Sequence, residues 1–136
     1  MTTFESNIVT INNKSERIFA MLSDLSNIER VKSRLPQDKF KEITFDSDTC
    51  RVSVDPVGTI GIRIIEREPN KTIKFVSDHS PIDFNLWIQL KETDENETKV
   101  KVTIKAELSS FMRSMIETPL MEALNKLTDM IAIIPY

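Results

Sequence analysis

The chain's one histidine, His79, lies within four residues of Ser77, Ser80 and Asp83. These are the residue types of a Ser-His-acid relay, in which an imidazole takes a hydroxyl proton and a carboxylate orients the ring. Here they crowd one proline-containing turn, and neighbouring turn residues seldom reach that geometry. A zinc or iron centre needs several His or Cys ligands, and the chain offers His79 and Cys50 alone. The only glycines, Gly58 and Gly61, make no phosphate-cradling loop. No catalytic residue, metal site or cofactor is therefore expected. One role remains open for His79. It follows Phe75 and Ser77 on a single strand face, at the sheet rim, where a ring tunable near neutral pH can donate to the polar end of a ligand. The alternative is an exposed turn histidine.

The elements that position His79 form a meander from Phe40 to Glu107. Six strand candidates are separated by five short turns. These are Asp46-Ser47-Asp48-Thr49, Pro56-Val57-Gly58, Arg67-Glu68-Pro69-Asn70, His79-Ser80-Pro81-Ile82 and Asp94-Glu95-Asn96. Closing each turn at its shortest loop aligns three apolar rows on one face. Ile43, Val52, Ile62, Phe75, Leu86 and Ile104 make the first. Phe45, Cys50, Ile64, Ile73, Ile88 and Val102 make the second. Val54, Ile60, Ser77, Phe84 and Ala106 make the third. A one-residue slip in any hairpin would turn that strand's apolar set outward. Trp87, Val76 and Ile65 have the opposite parity and belong to the convex face.

Before the meander, Phe4 to Ile11 reads as a strand. Asn13 with Glu16, and Ser26 with Glu29, have capping-box spacing and start two short helices, the second ending before Pro36. After the meander, Leu120, Leu124, Leu127, Ile131 and Ile134 form the stripe of a long helix from about Ser110. Thr118-Pro119 predicts either two helices there or a kink.

The size, 136 residues, fits one domain spanning 1–136 with a substantial core. The net charge of -3 supplies no field for nucleic acid. Lys99, Lys101 and Lys105 alternate with apolar residues, as on a solvated strand face. A single cysteine excludes an internal disulfide. Neither a signal peptide nor a membrane span is readable, so a cytoplasmic location and no stable membrane insertion are the expectations.

The order strand, two helices, six-strand meander and long C-terminal helix resembles the START-like (SRPBCC) superfamily of polyketide cyclases and plant pathogenesis-related proteins. The residues carrying the resemblance are Glu5 to Phe19, Phe84 to Leu90, Thr98 to Leu108 and Leu120 to Pro135. It implies an α+β helix-grip fold, with a curved antiparallel seven-stranded sheet wrapped around the C-terminal helix. It also implies an apolar cavity between sheet and helix that takes lipids, quinones or polyketides, with cyclase or aromatase activity in some members. No catalytic motif of those enzymatic branches is present to carry over.

The expected function is binding or transport of an apolar small molecule. The expected lining is Phe45, Ile62, Phe75, Ser77, Phe84, Leu86, Ala106, Met112, Met115 and Ile116, with His79 at the rim. Two alternatives stand beside it. A cyclase or dehydratase would need a buried acid-base group in the cavity. A filled-core interaction module would use the Trp87 face to form a homodimer or bind a partner.

Overall fold

The protein, examined as a computed structural model, is described over residues 1–34, 41–54 and 58–136. Its strands are β1 (Thr2–Glu5), β2 (Val9–Ile11), β3 (Lys41–Phe45), β4 (Thr49–Val54), β5 (Gly58–Glu68), β6 (Thr72–Ser77), β7 (Phe84–Asp94) and β8 (Glu97–Ala106). Its helices are α1 (Ser15–Leu22), α2 (Ile28–Val31) and α3 (Ser110–Ile133), with 3-10 turns on either side of α2. The strands form one antiparallel sheet in the order β1-β8-β7-β6-β5-β4-β3, and β2 also pairs with β8. This is the α+β helix-grip architecture expected from the sequence. The expected helix stop before Pro36, the strand start at Phe40 and residues 55–57 of one hairpin loop lie outside the described residues.

The expected first strand is two strands. Phe4 pairs with Ile104 and Val9 with Val100, so one extra residue is accommodated between them. Ser6 makes the break tolerable. Its amide donates to the Val102 carbonyl at 2.9 Å, and its hydroxyl accepts from the Val102 amide at 2.9 Å. A side chain thus replaces a missing rung of the ladder. The parity change lets Phe4 as well as Val9 and Ile11 point into the core.

Three of the five hairpin registers match expectation: Phe45 faces Cys50, Phe75 faces Leu86, and Ile104 faces Leu86. Two are corrected by two residues each. In β4–β5, Cys50 faces Ile62, Val52 faces Ile60 and Val54 faces Gly58. Gly58, at φ 101°, joins the ladder instead of the loop, a conformation open to glycine. In β5–β6, Ile62 faces Ser77 and Ile64 faces Phe75, and a bulge then follows between Ile64 and Glu66. Both slips are even, so every apolar side chain keeps its face. The bulge aligns Arg67 with inward Ile73. From there its guanidinium donates to the Ser23 carbonyl at 2.9 Å and to Asp48 at 2.6 Å, tying α1 to the β3–β4 turn.

The helix starts also differ from expectation. Neither capping box forms. Lys14 occupies the α1 N-cap without a side-chain bond, and Glu92 of β7 instead accepts from the Ser15 amide and hydroxyl. The second start is capped by Asp24, whose carboxylate accepts from the Ser26 amide at 3.0 Å and hydroxyl at 2.6 Å. Those two bonds, the hydroxyl's foremost, lower the Asp24 pKa below its ordinary value. α3 runs as one helix through Pro119, which resolves the expected alternatives. Proline has no N–H, so Pro119 forgoes one intrahelical bond while the ends stay anchored. Ser109 caps the start by accepting from the Met112 amide at 3.1 Å.

Candidate functional site

α3 does not lie centrally over the sheet. Its backbone approaches β2, β8 and β1 most closely, and Asn125 accepts from the Asn7 amide at 2.8 Å in the β1–β2 break. On that side the sheet is packed tight, with Val100, Val102 and Ala106 wholly buried. Toward β3–β5 the helix stands off. The gap is bridged by α1, α2 and the turn between them, held in place because Leu25 donates its amide to the Ser47 carbonyl at 3.0 Å.

The result is a cavity of about 220 Å³. Its floor is Cys50, Val52, Val54, Ile60 and Ile62 from β4–β5, with Phe75, Phe84 and Leu86 beside them. Its roof is the C-terminal half of α3, from Leu120 through Ala123, Leu127 and Ile131 to Ile134. Met21, Ile28 and Val31 close the end beneath α1 and α2. Among the described residues only Asp24 and Asn27 bring polar side chains to this wall. Asp24 is occupied with Ser26, and Asn27 donates to the Met21 carbonyl at 3.0 Å. Among the described wall residues Cys50 is the one thiol. Burial pushes its thiol up to about 11, which leaves it protonated and unreactive at neutral pH.

Of the expected lining residues, the cavity wall gathers Ile62, Phe75, Phe84 and Leu86. The others stand elsewhere. Phe45 is half-buried at the β3 edge and packs against the core. Ser77 spends its hydroxyl accepting from the Phe84 amide at 3.1 Å. Ala106 and Ile116 are buried in the tight half of the core, and Met112 packs against it. Met115 is exposed on α3. His79 is an exposed turn residue at φ 54°, its Nε2 3.4 Å from Asp78, outside the cavity wall. Its strand parity ends at Ser77, because the backbone turns there. Ser80 holds that turn by donating to the Gly61 carbonyl and accepting from its amide, both at 2.8 Å. A Cβ on Gly61 would collide with the Asp78 carbonyl oxygen, so glycine is what lets the turn close onto β5.

Sequence reasoning overlooked the roof residues Ala123 and Leu127 and the α1–α2 end. The stripe Leu120-Leu124-Leu127-Ile131 carried the first signal. The same stripe that marks the core face marks the cavity roof, and Ala123 is the small residue within it. On the outer face Trp87 is half-buried, with the ammonium groups of Lys74 and Lys105 at 5.4 and 5.8 Å from its ring. Those two lysines reach over its ring.

No protein-family profile matches this chain, and no curated protein matches it significantly. Solved structures do. A START superfamily protein from Mycobacterium smegmatis aligns over 96% of this chain and 94% of its own, with TM-score 0.71 and 14% identity. Norcoclaurine synthase from Thalictrum flavum, in complex with dopamine and hydroxybenzaldehyde, aligns over 96% and 84%, with TM-score 0.74 and 14% identity. The protein XoxI from Bacillus cereus aligns over 97% and 94%, with TM-score 0.64 and 13% identity. The START-like resemblance drawn from the sequence is thus matched in the fold. At these identities the likeness concerns the fold alone.

Proposed function

We propose that this protein binds a compact apolar small molecule in the cavity between β4–β7 and the C-terminal half of α3. The observation that carries this is the cavity itself, about 220 Å³ of partly open space lined almost wholly by apolar side chains. Close-packed interiors leave few voids larger than a water molecule, and concave, mostly apolar pockets are where small molecules bind. Apolar ligand surface removed from water there contributes about 25 cal/mol per Å². START-like neighbours support the same reading by analogy of fold. Catalysis is less well supported. Of the described wall residues only Asp24 and Cys50 ionise. Hydrogen bonds shift one below its ordinary range and burial shifts the other above, away from the neutral range an acid-base catalyst uses.

Native mass spectrometry of the purified protein, followed by denaturing extraction, tests the proposal. A discrete extra mass released on denaturation is expected. An apo mass, with no rise in melting temperature in saturating one- and two-ring hydrocarbons, would exclude it.

A further inference from the structure

We infer that the cavity selects ligands with no hydrogen-bonding group in the buried part: one- or two-ring hydrocarbons and their halogenated equivalents. The inference rests on the binding reading above and sharpens it. The strands of the floor satisfy their backbone groups in the ladders of β4–β5, β5–β6 and β6–β7. The helical roof satisfies its own within α3 up to the last turn, where the Ile131 carbonyl accepts from the Tyr136 hydroxyl at 2.6 Å. Among the described residues the polar ones at the wall are Asp24 and Asn27, and both stand in the turn between α1 and α2, where Asp24 Oδ1 accepts from the Ser26 amide and hydroxyl and the Asn27 side-chain amide donates to the Met21 carbonyl. Elsewhere the described wall offers the Cys50 thiol, a weak donor. A ligand hydroxyl or carbonyl buried between floor and roof, away from that turn, gives up its bonds to water and finds no equivalent. An unsatisfied buried polar group costs about 1–3 kcal/mol, or roughly 5- to 150-fold in affinity.

Size sets the other limit. A dry cavity of about 150 Å³ admits benzene. This one, at about 220 Å³, is half as large again and suits a single substituted ring or two fused rings. Longer chains or four-ring skeletons would have to displace α2 or the end of α3. Met21 and Met130 at that end are adaptable side chains, but Val31, Met130 and Ile134 already form a small packed cluster there.

The test is a ¹⁹F NMR titration with 1-fluoronaphthalene, followed by competition with naphthalene and with 2-naphthol. The expected result is saturable binding, displaced by naphthalene at a concentration at least about fivefold lower than by 2-naphthol. If 1-fluoronaphthalene binds but 2-naphthol competes as well as naphthalene, the selectivity is overturned and the binding reading stands. If neither aromatic binds, both fail. The site is located with Ala123→Phe, which fills the roof, and independently with Val52→Phe, which fills the floor. Each folded variant, checked by circular dichroism, is expected to lose the ¹⁹F shift. A folded variant that retains it places binding elsewhere and overturns the inference.

Discussion

The two halves of this sheet have the same alternation of apolar and polar residues and different interiors. In the β6–β8 half, the strands keep the shortest-loop register and α3 lies against them, and Ile73, Val100 and Val102 are wholly buried. In the β3–β5 half, β3–β4 keeps the expected register, the β4–β5 and β5–β6 pairings on either side of β5 slip by two residues, a bulge interrupts β5, and Ile43, Val52, Ile60 and Ile62 are only half-buried. An even slip costs nothing in facing, since each side chain still points inward. What differs between the halves is cover: α3 approaches β2, β8 and β1 and stands off from β3–β5. The lesson is that alternation sets which face is apolar, while the placement of the helix over the sheet decides whether that face is filled.

The comparison breaks most sharply under truncation. Ile73→Ala removes a wholly buried side chain from the tight half and is expected to cost about 2–5 kcal/mol in urea unfolding. Ile62→Ala removes one that borders free space and is expected to cost about 1 kcal/mol. Equal costs would mean that the two halves are packed alike and that the cavity is closed in solution.

Much of this asymmetry was hidden in the sequence for a physical reason. Period-2 alternation at Leu86, Ile88, Val102 and Ile104 specifies a face, and the tight turn at Asp94–Glu97 specifies a register, so β7–β8 was legible. The Gly58 position depends on one backbone angle, and the bulge at Ile65 depends on how Arg67 is used across the fold. Neither leaves a periodic trace. The site suffered accordingly. Ile62, Phe75, Phe84 and Leu86 follow from face alone and reach the cavity wall. Met112, Met115 and Ile116 lie on the first half of α3, whereas the helix residues at the cavity wall begin at Leu120. His79 followed strand parity one step beyond the strand's end at Ser77.

Enlargement is the converse of truncation and has a smaller effect. Ala106→Leu adds volume to a wholly buried position in the tight half and is expected to destabilise by about 1–3 kcal/mol. Ala123→Leu adds the same volume on the cavity roof, where it finds room. It is expected to be neutral or to stabilise by roughly 0.5–2 kcal/mol, as cavity-filling changes do, while weakening aromatic binding. Thermal unfolding of the two variants under one buffer checks the pair. The same loss in both would show that the space above β4–β5 does not extend to Ala123.

The smallest effect tests whether the loose half is dry. Cys50 sits on the cavity floor, and its thiol is held up to about 11 against an ordinary 9.0 because burial penalises the thiolate. The unfolded chain therefore releases this proton near pH 9 while the folded chain keeps it. Above pH 9 the unfolded state binds fewer protons, so stability present below that pH is lost as pH rises toward 11. By pH 10 the decrement from Cys50 is about 1 kcal/mol, and Tyr136, also raised by burial from an ordinary 10.0, adds a smaller share there that grows above pH 10 and is common to parent and variant. Cys50→Val keeps the wall apolar and removes the titrating group. The difference in urea stability between pH 8 and pH 10 is expected to be smaller in the variant than in the parent by that amount. An identical pH response would mean that water reaches the thiol and lets it ionise normally. A wetted floor would remove the penalty on polar ligands, and with it the reason for the cavity to prefer hydrocarbons.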